Sequence, residues 1–420
     1  MVKVKFLGAA REVGRSCFLV DSGDKIMLDN GVKLTPGNPE YPLPVDTNLN
    51  AAIVSHAHLD HSGNIPHLFA TANCLTYMTP PTLDLAKMLW FDTLKIAGLE
   101  GIEPNFTEEE IKKTEKHTFG INYRKNIDIT ENSSMEFFDA GHILGSAITK
   151  LNLKGKTLVY TGDFKAEETR LHEGADLKLG KVDYLMIEST YGDRNHPDRK
   201  ESEKIFAEHV QDTIDGGGHA LIPAFAVGRS QEIIDILHEY NISANIYFDG
   251  MGQKAARTYL KYPKFQKDPA FLKKALDKVI WVKNMSVRKK ALKEPSVIVT
   301  TAGMLQGGPV YAYLPELYKD KNSKIMLTGY QVKETPGRIL LETGKIALKG
   351  NLVTPKMELE KYDFSAHADL DELLDTIKKL SPEKVLCVHG DEEVSQIFVK
   401  EIEELGFDAT APKLGEEIEL

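Results

Sequence analysis

The sequence predicts an α/β protein in which one domain is inserted into another, and three observations favour this class. The chain has 420 residues, more than a single small domain needs. From Val2 to Asp193, short β-rich runs alternate with turn residues and some helical stretches. After about Arg194 the pattern becomes strand, helix, strand, with apolar strands, which is typical of a parallel sheet flanked by helices.

The pattern changes again near the carboxyl terminus. After Tyr362 a helix is predicted from Asp369, then the strand KVLCVHG, then a helix from Glu392. Neither an internal repeat nor a low-complexity linker separates these pieces, which favours an insertion over domains in series. We therefore predict a first domain formed by residues 1–193 and 363–420 and an inserted domain over 194–362.

Local signals support individual elements. Thr107 and Glu110 form a capping-box pattern that predicts a helix start. The sequence KGK at Lys154–Lys156 lies between two alternating runs and predicts a hairpin. In the inserted domain, helices are predicted from Ser230 and from Gln253.

Composition limits the function classes. The apolar runs are far shorter than the roughly 20 residues a bilayer span requires, and the amino-terminal segment lacks the apolar region of a signal peptide. A cytoplasmic protein without membrane association is therefore expected. Cys17, Cys74 and Cys387 are widely spaced, which excludes a Cys-based zinc site. The net charge of −10 argues against nonspecific coating of nucleic acid but leaves a local RNA groove open.

The sequence HAHLDH, residues 56–61, is the clearest candidate metal site. It follows the apolar run AAIVS, at the edge of a predicted sheet. His56 and His58 can face one point, while Asp60 and His61 in the following turn can face a second point nearby. Imidazole and carboxylate ligands suit zinc, and two adjacent ligand groups suit a two-metal site. The alternative is a solvated polar loop in which the histidines occur by chance.

Three further residues follow apolar runs and adjoin glycine: His142, Asp163 and His389. Each alone could be an ordinary turn residue. Together with HAHLDH they complete two sets of nitrogen and oxygen ligands and one bridging carboxylate. Asp29, before Asn30 and Gly31, has two interpretations. It lies in a hairpin turn, or it orients a ligand histidine without itself binding the metal.

These motifs resemble the metallo-β-lactamase superfamily, and within it the β-CASP nucleases of the cleavage and polyadenylation specificity factor type, in the form without KH domains. Asp29, HAHLDH, His142 and Asp163 match the first to fourth superfamily motifs; Glu188 in MIESTYG, His367 in DFSAHAD and His389 in VHGD match β-CASP motifs A to C. The resemblance extends over nearly the whole chain. It implies an αββα sandwich with an inserted β-CASP domain and an active site in the cleft between the two domains.

The resemblance also implies roles for these residues. His56, His58 and His142 would hold one zinc ion, Asp60, His61 and His389 the other, and Asp163 would bridge them. Manganese in place of zinc stays open. Histidine at motif C resembles the RNA-directed members, so the expected substrate is single-stranded RNA.

The expected chemistry is hydrolysis of an RNA phosphodiester bond, by endonuclease or 5′-to-3′ exonuclease action. Asp60 belongs to the catalytic metal centre, and His367 is the candidate general acid, with Glu188 favouring its protonated form. The alternatives are a helix-cap neighbour for His367 and a surface carboxylate for Glu188. Candidate RNA contacts are Arg229 and Ser230 in a strand-to-helix loop, Gln331 and Arg338 in GYQVKETPGR, and Ser365 beside His367.

Two charged segments have two interpretations each. From Lys261 to Lys293, eleven Lys or Arg stand against two Asp, which indicates either a solvated helix face or an RNA-tracking rim. The acidic tail ends in EEIEL, which could pair with another subunit in a homodimer or with a strand of its own domain.

Two other functions are alternatives to a zinc-dependent ribonuclease. A catalytically silent RNA-binding subunit is disfavoured because every ligand position is filled. A metallo-β-lactamase-fold hydrolase acting on small molecules is disfavoured by the inserted domain and motifs A to C.

Overall fold

The structure is a computed structural model that describes residues 2–35, 39–45, 48–70, 74–348 and 350–420. It divides into two compact units: unit 1 contains residues 1–195 and 366–420, and unit 2 contains 196–365. Strands and helices are numbered in chain order through both units. In the ranges described, no helix is both long and apolar enough to span a bilayer.

Unit 1 contains two seven-stranded sheets. In the first sheet the order is β22-β1-β2-β3-β4-β5-β6, with β1 (Lys3–Phe6), β2 (Phe18–Asp21), β3 (Lys25–Leu28), β4 (Ala51–Ile53), β5 (Thr76–Met78), β6 (Thr118–Gly120) and β22 (Glu417–Glu419). In the second the order is β21-β20-β11-β10-β9-β8-β7, with β7 (Asn126–Asp128), β8 (Ser133–Asp139), β9 (Ala147–Leu153), β10 (Lys156–Tyr160), β11 (Tyr184–Glu188), β20 (Lys384–Val388) and β21 (Ala409–Thr410).

The inward faces of the two sheets share one apolar core. Phe6 and Phe18 of the first sheet and Phe137, Tyr160 and Met186 of the second belong to the same buried cluster. The opposite face of the second sheet is covered by apolar residues of the two helices near the carboxyl terminus, residues 370–380 and 392–404. The helices of unit 1 are α1 (Leu59–Ser62), α2 (Pro80–Glu100), α3 (Glu108–Lys116), α11 (Leu370–Leu380) and α12 (Glu392–Glu404).

Unit 2 is built on a six-stranded parallel sheet of order β14-β13-β15-β12-β16-β19. Its strands are β12 (Ala220–Pro223), β13 (Asn245–Phe248), β14 (Ile280–Trp281), β15 (Ser296–Thr300), β16 (Lys324–Leu327) and β19 (Glu358–Lys361), with a separate hairpin of β17 (Ile346–Leu348) and β18 (Asn351–Val353). Its helices are α4 (Arg199–Asp215), α5 (Arg229–Glu239), α6 (Gly252–Lys261), α7 (Pro269–Lys278), α8 (Met285–Ala291), α9 (Leu314–Leu317) and α10 (Pro336–Thr343). The parallel sheet with helices was predicted and is confirmed.

Several local predictions are confirmed. Helix α3 begins after Thr107, whose backbone N–H donates to Glu110 in a capping box. Strands β9 and β10 form a hairpin in which Leu153 pairs with Lys156, and both residues of its turn, Lys154 and Gly155, have positive φ. The tail strand β22 pairs with β1 in its own unit, while pairing with another subunit stays a prediction.

The hairpin interpretation of Asp29 and the following Asn-Gly is wrong. Strands β3 and β4 run parallel, so no tight turn joins them. The backbone N–H groups of Asp29 and Asn30 donate instead to Ile53 and His61. Gly31 is required for close approach, because a Cβ there would lie 1.8 Å from the carbonyl oxygen of Asp60.

Candidate metal centre and proton donor

The candidate site is formed where several strands of unit 1 end. His56 follows β4, His58 caps α1, and Asp60 and His61 belong to that short helix. The other predicted ligands, His142, Asp163 and His389, follow β8, β10 and β20. All seven lie in unit 1, although more than 300 positions separate His56 from His389 in sequence.

The first group is formed by three histidines. The Nδ1 atom of His58 lies 3.2 Å from the Nε2 atoms of both His56 and His142. Burial lowers the pKa of each of these three imidazoles, so they are neutral at neutral pH. Neutral imidazole is the form that binds a metal ion.

The second group is formed by Asp60, His61 and His389. His389 Nε2 lies 3.3 Å from Asp60 Oδ2, and His61 Nε2 lies 4.0 Å from the same oxygen. Burial opposes a charge on His61, but the carboxylates of Asp163 and Asp60 outweigh it and raise its pKa. The second group is therefore a place that favours positive charge.

Asp163 belongs to both groups. Its Oδ1 lies 3.2 Å from His61 Nε2 and 3.2 Å from His389 Nδ1, while its Oδ2 lies 3.6 Å from His56 Nε2 and 3.8 Å from His142 Nε2. The carboxylate is 2 % exposed, and Oδ1 accepts no well-directed hydrogen bond from any described residue. A buried carboxylate oxygen in this position normally has a hydrogen-bond donor or a cation as its partner.

The two groups fit metal ions. Tetrahedral zinc with Zn–N bonds of about 2.0–2.1 Å places neighbouring ligand nitrogens about 3.3–3.4 Å apart, close to the separations in the first group. Ligand atoms of His56, His58, His142 and Asp163 lie within 4.8 Å of one another, as do those of Asp60, His61, Asp163 and His389. The solvated-loop interpretation of HAHLDH does not fit this burial, because His56 and His61 are 0 % exposed.

Asp29 orients His61 through the ring nitrogen that faces away from Asp163. Its Oδ2 lies 2.8 Å from His61 Nδ1 and accepts hydrogen bonds of 2.7 Å from the hydroxyls of Ser55 and Tyr160, while Oδ1 accepts one from the Ser55 backbone N–H. Fixing one ring nitrogen in this way directs the other, Nε2, toward Asp163. Sequence analysis missed Ser55 and Tyr160, since an ordinary core hydroxyl has no distinguishing spacing.

His389 is positioned by a residue that sequence analysis also missed. Thr190 Oγ1 lies 3.2 Å from His389 Nδ1 and donates to its carbonyl oxygen at 3.0 Å. Thr190 comes two residues after Glu188, at the end of the neighbouring strand β11. Membership in the MIESTYG motif is the only signal that could have identified it.

His367 and Glu188 form a third group beside the first. His367 Nδ1 lies 2.7 Å from Glu188 Oε2, and the other oxygen of Glu188 accepts the backbone N–H of Phe164. Burial lowers the pKa of His367, but the carboxylates of Glu188 and Asp163 outweigh it and raise the pKa to about 9. Glu188 is buried rather than on the surface. With this raised pKa, His367 is protonated at neutral pH, as a general acid must be.

The candidate RNA contacts lie in unit 2. The Arg229 guanidinium pairs with Glu232, and Ser230 donates to the carbonyl of Ala226. Gln331 donates to two backbone carbonyls, and its Oε1 is buried without a hydrogen-bond partner among the described residues.

The other two candidates are also in local contacts. Arg338 lies 2.5 Å from Glu342, and the Ser365 backbone N–H donates to Asp363. Contact of these five residues with RNA stays a prediction.

Three family models match the chain. A "Metallo-beta-lactamase superfamily domain" matches residues 18–190, a "Beta-Casp domain" matches 230–340, and a "Zn-dependent metallo-hydrolase RNA specificity domain" matches 353–412. The predicted fold class, a metallo-β-lactamase domain with an inserted β-CASP domain, is thereby confirmed.

The chain is also similar to individual proteins of known sequence or structure. "Probable RNase MJ4" of Methanocaldococcus jannaschii is 42 % identical over the full length of both chains. "RNase aCSPSF2" of Saccharolobus solfataricus is 37 % identical over 99 % of this chain and 85 % of its own, and "Transcription termination factor FttA" of M. jannaschii is 38 % identical over 96 % and 69 %. A crystal structure of a protein of unknown function from Enterococcus faecalis V583 has a TM-score of 0.63 at 15 % identity over both full chains, which concerns the fold alone.

Proposed function

The chain belongs to the β-CASP branch of the metallo-β-lactamase superfamily, and from this premise we propose that it is a zinc-dependent ribonuclease. The observation that carries the proposal is the buried Asp163 carboxylate, whose two oxygens face two separate groups of ligands. The His367–Glu188 pair beside it supplies what hydrolysis of a phosphodiester needs besides metal, namely a proton donor.

The proposed ligand roles follow the two groups. His56, His58 and His142 would hold one ion and Asp60, His61 and His389 the other, while Asp163, which belongs to both groups, would be a ligand shared by the two. Two such ions supply, when bound, stabilisation of charge on the phosphate and a water nucleophile of lowered pKa. We propose zinc for both positions, with manganese as the alternative.

The residues of the chain complete the reaction. Water attacks phosphorus and loses a proton to the solvent, the bond from phosphorus to the 3′ oxygen breaks, and that oxygen receives a proton from His367, which the solvent then reprotonates. Since Nδ1 contacts Glu188, Nε2 is the donating atom. The products are a 5′ phosphate and a 3′ hydroxyl. Asp29 keeps His61 oriented throughout.

Several further assignments belong to this proposal. The substrate is single-stranded RNA, and Arg229, Ser230, Gln331, Arg338 and Ser365 are kept as candidate contacts. The names of two relatives, which are called RNases, support action on RNA, and we propose that this action is processing or decay of RNA in the cytoplasm. The domain division at 193/194 and 362/363 and a homodimer joined through the tail are likewise proposed.

The test is cleavage of defined oligonucleotides by the purified protein. Matched RNAs with a 5′ monophosphate or a 5′ hydroxyl, and DNA of the same sequence, are incubated with and without a chelator. Cleavage of RNA that chelation abolishes is expected, and the product lengths distinguish endonuclease from 5′-to-3′ exonuclease action. Binding of RNA without cleavage under every metal condition would instead support the silent-subunit alternative.

A further inference from the structure

The segment 261–293 carries a strong local charge of opposite sign to the chain. It has eleven Lys or Arg and two Asp, in a protein of net charge −10. Nine of its lysines are exposed, and Lys254 and Arg257 of α6 are exposed too. We call these eleven exposed side chains the basic face: Lys254, Arg257, Lys261, Lys264, Lys273, Lys274, Lys278, Lys283, Lys289, Lys290 and Lys293.

The basic face is carried by neighbouring elements at one edge of the sheet of unit 2. Strand β14, which contains Trp281, is the edge strand and pairs with β13. Helix α6 follows β13, α7 precedes β14, and α8 follows it, and α6 and α7 pack together. Charges that are dispersed over 40 residues of sequence are therefore gathered on one part of unit 2.

One cation of the segment has a structural role. Arg288, which is half-buried, shows what a structural cation looks like here: its guanidinium contacts both oxygens of the buried Asp249 at 2.7 and 3.2 Å. Asp268, one of the two acids of the segment, caps α7. Burial and then the charges of Lys278 and Lys274 lower the pKa of His238, which indicates that the positive field reaches neighbouring groups.

Aromatic side chains lie among the cations. The Arg257 guanidinium is 5.1 Å from the ring centroid of Trp281, and Lys261 is 5.0 Å from that of Tyr262. Trp281, Tyr262 and Phe265 are half-buried, so part of each remains open to solvent. Proteins that bind single-stranded nucleic acid combine cations that contact the backbone with aromatic rings that stack on bases.

We propose that the basic face binds the phosphate backbone of single-stranded RNA, as a binding surface additional to the metal centre. The inference rests on the proposed function and deepens it by assigning a substrate contact to residues 254–293. This surface lies outside residues 353–412, which match the model described as an RNA specificity domain. Because backbone phosphates are common to all sequences, the surface adds affinity without sequence preference.

The test compares two quadruple variants with the same change of net charge. The first replaces Lys273, Lys274, Lys289 and Lys290 of the basic face with Gln. The control variant replaces four exposed lysines of unit 1 with Gln: Lys112, Lys116, Lys378 and Lys379. Both are made in a His367→Ala background, so that RNA is bound but not cut, and circular dichroism melting verifies that both fold.

The measurement is the dissociation constant for a labelled 30-nucleotide RNA between 50 and 200 mM salt. Each lysine that contacts a phosphate contributes about 0.7 to the slope of log affinity against log salt, so the first variant should lower the slope by up to about 3. The control variant should keep the wild-type slope. Equal weakening by both variants, or no change in either, would overturn the proposal.

Failure of this inference can be told apart from failure of the proposed function. If the wild-type chain cuts no RNA, the ribonuclease proposal fails, yet the two dissociation constants still decide the role of the basic face. The four lysine substitutions of the first variant are also made in protein that retains His367. This protein should hydrolyse a small phosphodiester such as bis(p-nitrophenyl) phosphate at the wild-type rate. Its KM for long RNA should rise.

Discussion

Replacement of Asp29 by Asn tests whether the buried carboxylate supports the metal centre through His61. Asp29 Oδ2 receives three contacts, from His61 Nδ1 at 2.8 Å and from the hydroxyls of Ser55 and Tyr160 at 2.7 Å. An Asn amide in the same orientation would keep the Oδ1 acceptor for the Ser55 backbone but would present an NH₂ group to the other three. Asn tolerates the φ of +57° at this position, so the backbone is not perturbed.

The expected magnitude follows from the loss of one oriented ligand. Changing the hydrogen-bond partner of a metal-binding histidine typically lowers metal affinity about 10- to 100-fold, or about 1.4 to 2.7 kcal/mol. Because Asp29 contacts His61 and none of the three histidines of the first group, the weakening should be confined to one of two ions.

The assay is competition with a fluorescent zinc chelator, which resolves the affinity of each site. Asp183→Asn is the matched control, because Asp183 is also buried in unit 1 and accepts a backbone N–H, from Thr157, without contacting a candidate ligand. Its zinc affinities should equal those of the wild type. Unchanged affinity in Asp29→Asn, or equal weakening of both sites, would refute this account of Asp29.

Other consequences of the site can be measured directly. His367→Ala should keep the metal content of the wild type but lose RNA cleavage by at least about 100-fold, the usual contribution of general acid catalysis; retained cleavage would remove that role. Glu188→Gln should move the alkaline limb of the pH–rate profile to lower pH, since the Glu188 carboxylate raises the pKa of His367 and the acid must stay protonated; an unmoved limb would count against the pair. Burial raises the pKa of Cys74 to about 11 and those of Cys17 and Cys387 further, so native protein should not react with a thiol reagent, whereas all three should react after unfolding. Rapid labelling of native protein would contradict that burial.

Local sequence was sufficient to predict several elements of the fold. Hairpins and helix starts depend on neighbouring residues, so Lys154–Gly155 and the Thr107 capping box could be identified from a few letters. The path of the chain at Asn30 and Gly31 could not, because it is determined by contacts with Ile53, Asp60 and His61 rather than by the local sequence.

The candidate site was predictable to different degrees. HAHLDH is compact, so its spacing alone indicates two ligand groups, whereas Asp163 and His389 needed the expectation that strand ends converge at one edge of a sheet. Ser55, Tyr160 and Thr190 were missed, because each supports a ligand only through the fold. No spacing rule identifies such a residue from sequence.

The seven candidate ligands, five of which are buried, are expected to hold two metal ions that this chain uses to cut RNA. The most direct test of this expectation is to strip the protein with a chelator, add zinc in steps, and measure RNA cleavage against zinc bound per chain. Negligible cleavage is expected in the stripped protein, followed by a rise that is complete only when the second ion binds. Full cleavage by metal-free protein, or no cleavage with both positions filled, would contradict it.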